Sequence, residues 1–146
     1  MGHWRTYDHN LEDMWAGYNK QVIKDVCYNC SSPISKQSYS YIGLMQYRLP
    51  AEKVYCECYG NKGFYFATKG KTHARLIEIA VRDEYKGQGV GRLLLYRLLA
   101  RMKTDGLHKL PFRTPMNESA HNFWLKQGAK IIDVKGNDYV MEIIFR

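Results

Sequence analysis

No stretch of this chain stays apolar for more than a few residues, so no segment is long enough to cross a bilayer as a helix. The chain also does not open with the basic, apolar and small-residue pattern of a secretory leader, which predicts a cytoplasmic protein without membrane contact. Nothing in it reads as a repeat, a low-complexity tract or a linker. The 146 residues, 45% hydrophobic and 25% charged, therefore predict one soluble domain over 1–146 with room for a sizeable core. Basic residues outnumber acidic ones by 22 to 14, a formal charge of +8, yet they never run to five together. That scatter favours solvated lysines plus a basic pocket for an anionic ligand; nucleic acid remains a less favoured partner.

Residues 76–99 carry the most information. The apolar run Leu76 to Val81 leads through a charged turn into Gly87, Gly89 and Gly91, and then into a strongly periodic helix. A strand, a glycine-rich turn and a helix N-terminus together hold an anion, usually phosphate. The glycines let backbone N–H groups crowd the ligand, and the helix dipole favours negative charge there. Two better-known glycine loops do not fit. Gly91 is followed by Arg92 and Leu93, where a P-loop needs Lys and then Ser or Thr. The spacing is Gly-x-Gly-x-Gly with no second βαβ unit behind it, which a dinucleotide fold would require.

The stretch resembles motif A of the GNAT superfamily, the GCN5-related N-acetyltransferases. Ile79-Ala80-Val81 matches the strand end of that motif, and Lys86-Gly87-Gln88-Gly89-Val90-Gly91 matches its loop. Lys86 stands where Arg or Gln is usual, keeping the charge but losing a bidentate fork. Downstream, the run from Asn117 through Ala120, Phe123, Trp124 and Lys126 to Gly128 resembles the family's Asn-x-x-Ala-x-x-Phe-Tyr-x-Lys-x-Gly. The resemblance covers roughly residues 53–146. It implies an α+β fold: a mixed, mostly antiparallel central sheet of about six to seven strands, with a splayed central pair, flanked by helices.

The local patterns agree. His3 to Tyr7 reads as a short strand, and Leu11, Met14, Trp15, Tyr18, Val22 and Val26 fall on one helical face. Residues 31–52 read as loop with one helical turn. Lys53–Tyr59 and Gly63–Thr68 form a hairpin, and a third strand ends at Val81. Leu110–Thr114 is the next strand; its Pro111 suits a strand that splays from its neighbour. Asn117 caps a helix with Ala120, Phe123 and Trp124 on its inner face, and a hairpin of Lys130–Val134 and Tyr139–Phe145 follows.

The resemblance implies acetyl-CoA as donor and a primary amine as acceptor. Amides of Gln88 to Gly91 would hold pyrophosphate, with Lys86 and Arg92 assisting. The Ile79–Val81 edge would pair with the pantetheine arm, and Asn117 would bond it. Glu78 is the first choice of base for the attacking amine, with His73, Tyr139 and Glu142 open. Trp124 occupies the position of the usual proton-donating Tyr, and its indole cannot ionise in that role. Alternatives are acetylation of an RNA-borne amine such as aminoacyl-tRNA, and an acyl-CoA-binding regulator without catalysis. A homodimer is left open. Cys27-x-x-Cys30 with Cys56-x-Cys58 has the composition of a zinc site, but four reduced, mostly buried thiols are favoured, so no metal is expected.

Overall fold

A computed structural model describes residues 4–6, 20–30, 37, 39–43, 53–116 and 120–146. Among these, strands β1 (Trp4–Thr6), β2 (Val54–Tyr59), β3 (Gly63–Lys69) and β4 (Ala74–Val81) form one sheet in that order. A second sheet has the order β5 (Lys109–Pro115), β7 (Asp138–Ile144), β6 (Lys130–Lys135). Helix α1 (Lys20–Tyr28) precedes β2, α2 (Val90–Thr104) connects β4 to β5, and α3 (Ala120–Lys126) connects β5 to β6.

The expected splayed central pair is β4 and β5, and the expectation of a mixed sheet is corrected. Every ladder among the described residues is antiparallel, and the sheet is divided between β4 and β5, which touch without a ladder. Pro111 is accommodated at this division. It pairs with Glu142 on β7, and because β5 ends its sheet, the missing N–H disrupts no second ladder.

Strand alternation sorts the side chains onto two faces. On β2 and β3, Tyr55, Tyr65 and Ala67 join the cluster under α2. Their neighbours Cys56, Cys58, Phe64 and Phe66 join the cluster under α1, with Ile23, Val26 and Cys27. Helix α2 presents Val90, Leu94, Leu95, Leu98 and Met102 to the first face, at the spacing of a single stripe. It ends where Gly106, at φ 77°, turns the chain and Leu107 N–H reaches back to Met102 O at 2.9 Å. Of the expected first helix, Val22 and Val26 are buried as the pattern required, while Leu11 to Tyr18 lie outside the described residues. No helix among the described residues is long and apolar enough to cross a membrane.

Candidate active site

Where β4 and β5 part, a cleft of about 660 Å³ opens. Its walls are the second half of β4, the end of β5 and one side of α3; the glycine turn and the start of α2 close one end. The turn is built by backbone conformation. Gly87 and Gly89 have φ of 77° and 82°, a region that side chains disfavour, and Gly89 forms the N-cap of α2. A Cβ added at either would meet no atom within 4 Å, so the space above the turn is open. A Cβ on Gly91 would lie 3.4 Å from the Phe123 ring, an ordinary contact distance, so α3 packs beside the start of α2 there.

The chain approaching the turn is held from two sides. Asp83 N–H donates to Asn29 O at the end of α1 (3.0 Å), and Arg82 N–H donates to Lys62 O in the β2–β3 turn (2.9 Å). The Lys62 ammonium also lies over the Tyr85 ring, 5.3 Å from its centroid.

Of the residues expected from the sequence, Glu78, Ile79, Ala80, Val81, Lys86, Gly87, Gly89, Val90, Gly91, Arg92 and Trp124 all line this cleft. Gln88 does not: its side chain folds back to donate to Glu84 O at 3.3 Å. Asn117 lies outside the described residues. Lys86 is paired with Asp83 at 3.1 Å, so a ligand would share it with that carboxylate. Arg92 donates to the Tyr96 hydroxyl at 3.1 and 3.2 Å, which aims the guanidinium along α2. Ala120, expected in the core, is exposed and faces the cleft.

Glu78 owes its position to a bulge. Phe66 pairs with Glu78 but Ala67 pairs with Leu76, which leaves Ile77 as an extra residue on β4. Without it, Glu78 would share the α2 face with Leu76. With it, Glu78 stands opposite Phe66, on the α1 face. It is close enough to Cys27 that its charge adds to burial in pushing that thiol up. The remaining candidate bases lie elsewhere. His73 precedes the first residue of β4, about 16 Å along the strand from Glu78 at ~3.3 Å per residue. Glu142 pairs with Lys109 at 3.4 Å, and Tyr139 packs edge-on against His121; none of the three lines the cleft.

Trp124 is 7% exposed and lies against Phe112, with ring centroids 4.2 Å apart. It is a wall of the cleft and part of the core at once. The four cysteines differ in burial, although Cys27, Cys56 and Cys58 share one core cluster. Cys27, Cys56 and Cys58 are buried, while Cys30 stands at the cleft. Burial drives the Cys58 thiol up to about 12, with the Glu57 carboxylate adding to it, and raises Cys56 as well.

Sequence reasoning missed two features. Glu57 is fully buried, accepting from the Tyr65 hydroxyl, Arg97 Nε (3.0 Å) and Arg101 Nη1 (3.5 Å). Its place in the alternating run Val54–Tyr59, beside two tyrosines on the same face, was the available signal. The second is Thr114, 3% exposed and facing the cleft from β5.

Residues 28–129 match the sequence pattern of the acetyltransferase (GNAT) family. The [ribosomal protein bS18]-alanine N-acetyltransferase of Haemophilus influenzae is 31% identical over 77 residues, 53% of each chain, so the match spans about half of that relative. The ribosomal-protein-S18-alanine N-acetyltransferase of Escherichia coli superposes with a TM-score of 0.74 at 16% identity, covering 97% of this chain and 92% of that one. The PaiA N-acetyltransferase of Thermoplasma acidophilum, solved in complex with coenzyme A, gives 0.68 at 19% identity over 97% and 98%. At these identities the two structures speak for the fold alone.

Proposed function

The chain belongs to the acetyltransferase (GNAT) family, and from that premise we propose that it moves an acetyl group from acetyl-CoA to a primary amine. One observation carries the reading: a single cleft has an anion-holding turn at one end and a carboxylate, Glu78, on its wall.

In this reading the first amides of α2 and of the turn, Gly87 to Gly91, take the pyrophosphate. They are N–H groups that a helix start leaves without intrahelical partners, and the dipole adds to their pull. The open space over Gly87 and Gly89 fits such a group. Lys86 and Arg92 add charge beside it. The β4 edge at Ile79 to Val81, which carries no ladder toward β5, pairs with the amides of the pantetheine arm as an added strand would. Asn117 bonds the same arm. A backbone N–H of this edge polarises the thioester carbonyl, whose oxygen gains charge as the amine attacks.

The amine must attack in its neutral form, and a free lysine-type amine holds its proton to about pH 10.4. Glu78, turned by the bulge onto the α1 face, takes that proton directly or through water. The carbon–nitrogen bond forms, the carbon–sulfur bond breaks, and the thiolate leaves with the electron pair. Water protonates it, because Trp124 packs against Phe112 and its indole N–H does not ionise in this range.

The relative in Haemophilus influenzae acts, by its name, on an alanine of ribosomal protein bS18. A peptide with N-terminal alanine is therefore the first acceptor to try, followed by small amines and aminoacyl-tRNA. Glu78→Gln should lower kcat about 100-fold or more while leaving acetyl-CoA affinity within about twofold. An unchanged kcat would remove Glu78 from the reaction. Tight acetyl-CoA binding without thiol release on any amine would instead favour a non-catalytic acyl-CoA-binding regulator.

A further inference from the structure

The Cys27-x-x-Cys30 pair plays no part in the reaction proposed above, yet it sits where α1 meets the approach to the glycine turn. Cys27 belongs to the last turn of α1 and is enclosed in the cluster with Ile23, Val26, Phe64 and Phe66. Cys30, two residues past the helix end, is partly buried and lines the cleft. It is the one thiol of the four that a reagent in the cleft can reach, since Cys56 and Cys58 are as enclosed as Cys27. The pair is close: burial and the Glu78 charge push the Cys27 thiol up, and Cys30 is near enough to add to that push.

Between the two thiols stands Asn29. Its backbone N–H donates to Asp25 O (3.1 Å) and Val26 O (3.2 Å), and its side-chain amide donates to Asp25 O (2.7 Å), which closes the end of α1. Its carbonyl accepts from Asp83 N–H at 3.0 Å, at the start of the approach to Gly87 and Gly89. Residues one helical turn apart have Cβ atoms about 5–6 Å from each other, whereas a disulfide needs about 3.5–4.5 Å, so closing the bond takes about 1.5 Å of movement. Cys27 is enclosed by the core, so the movement falls on Asn29 and Cys30 and carries the Asn29 carbonyl away from Asp83.

We propose that Cys27 and Cys30 are a thiol–disulfide switch: closing the disulfide withdraws the Asn29 carbonyl from Asp83 and loosens the turn that leads to α2. A small disulfide such as glutathione disulfide is the oxidant. The Cys30 thiolate attacks one of its sulfurs, a Cys30–glutathione bond forms, and the other half leaves as thiolate. Cys27 then gives its proton to water and attacks the Cys30 sulfur, and the second half leaves with the electron pair. Two protein thiols are oxidised, one small disulfide is reduced to two thiols, and the two released protons end on them. Because burial holds the Cys27 proton, the second step is the slow one and the glutathione adduct builds up first. That a loosened turn weakens acetyl-CoA rests on the donor reading above.

The test equilibrates the full chain with reduced and oxidised glutathione over a range of ratios and maps its disulfides by peptide mass spectrometry. The expected product joins Cys27 to Cys30, after a transient adduct on Cys30, and leaves Cys56 and Cys58 as thiols. Hydrogen exchange at the Asp83 amide should be about tenfold faster in the oxidised protein, and unchanged across the β6–β7 hairpin. Acetyl-CoA affinity should fall about tenfold and return on reduction with dithiothreitol. In Cys30→Ser the same treatment should form no bond to Cys27 and change neither reading. No bond between Cys27 and Cys30 even in oxidised glutathione alone, or a bond that leaves Asp83 exchange as it was, would overturn the proposal. If the reduced protein binds no acetyl-CoA, the donor reading fails, while exchange at Asp83 still decides the switch.

Discussion

Replacing Glu57 by alanine removes a carboxylate that is wholly enclosed beneath α2, and the structure sets the size of the effect. The carboxylate accepts from the Tyr65 hydroxyl, from Arg97 Nε at 3.0 and 3.2 Å, and from Arg101 Nη1 at 3.5 Å. Breaking a buried ion pair by removing one partner costs about 3–5 kcal/mol, chiefly because the other charge is left enclosed. The two arginines are not equally confined. Arg97 is 48% exposed and can turn into water, whereas Arg101 is 27% exposed, bonded to Tyr65 and lies over the Tyr55 ring. The lower end of the range, about 3 kcal/mol, is therefore expected for Glu57→Ala. In urea, at a slope of about 2 kcal/mol per molar, the midpoint should fall by about 1.5 M with the slope unchanged. Glu57→Leu combined with Arg101→Leu should recover more than half of the loss, since no charge is then left enclosed. Arg97 and Arg101 stand seven and eleven residues along α2 from Val90, roughly 10 and 16 Å at the helical rise. Well below the melting range, acetyl-CoA affinity should therefore change little. A loss under about 1 kcal/mol, or a double variant no better than the single one, would refute the reasoning.

Two further perturbations have signs fixed by geometry. A Cβ on Gly63 would lie 2.7 Å from Ala80 O and 3.0 Å from Leu94 Cδ1, so Gly63→Ala must displace β4 backbone; a destabilisation of about 1–3 kcal/mol should appear as a lower Tm. Asp105 accepts from the Tyr55 hydroxyl at 2.6 Å and pairs with Lys69 at 3.0 Å, and these bonds hold its carboxyl below the usual range. A depressed folded pKa gives stability that is present above about pH 4 and drains as pH falls through the folded value. Asp105→Asn should thus flatten the acid limb of stability against pH; an acid limb as steep as before would contradict the assignment.

Much of the architecture was legible because it rests on local signals. The β2–β3 hairpin, the end of β4 at Val81, the α2 stripe and the β6–β7 hairpin all follow from alternation, turn residues and helical spacing. The glycine turn could be read because three glycines at alternate positions have few other uses. What escaped the sequence depends on contacts between distant segments. The face that Glu78 takes is set by the register shift at Ile77 against β3, which alternation within β4 does not fix. Alternation puts Glu57 on the tyrosine face of β2, but its partners Arg97 and Arg101, forty and more positions away, are set only when α2 folds over it. The Gln88 side chain turns back to a carbonyl one turn away, a local bond that leaves the backbone amide expected at the ligand where the motif puts it. The division of the sheet was foreshadowed by Pro111, although the extent of the gap follows only from how β5 pairs with β7.

The most direct test is calorimetric titration of acetyl-CoA into the unsubstituted protein and into Gly89→Glu, with the fold of each checked by circular dichroism. Gly89 caps α2 at φ 82° with open space above it, so a carboxylate there would occupy and repel the place assigned to pyrophosphate. Micromolar binding by the unsubstituted protein, lost in a folded Gly89→Glu, is the predicted result. No binding by the unsubstituted protein, or equal binding by both, would contradict the placement of the donor at this turn.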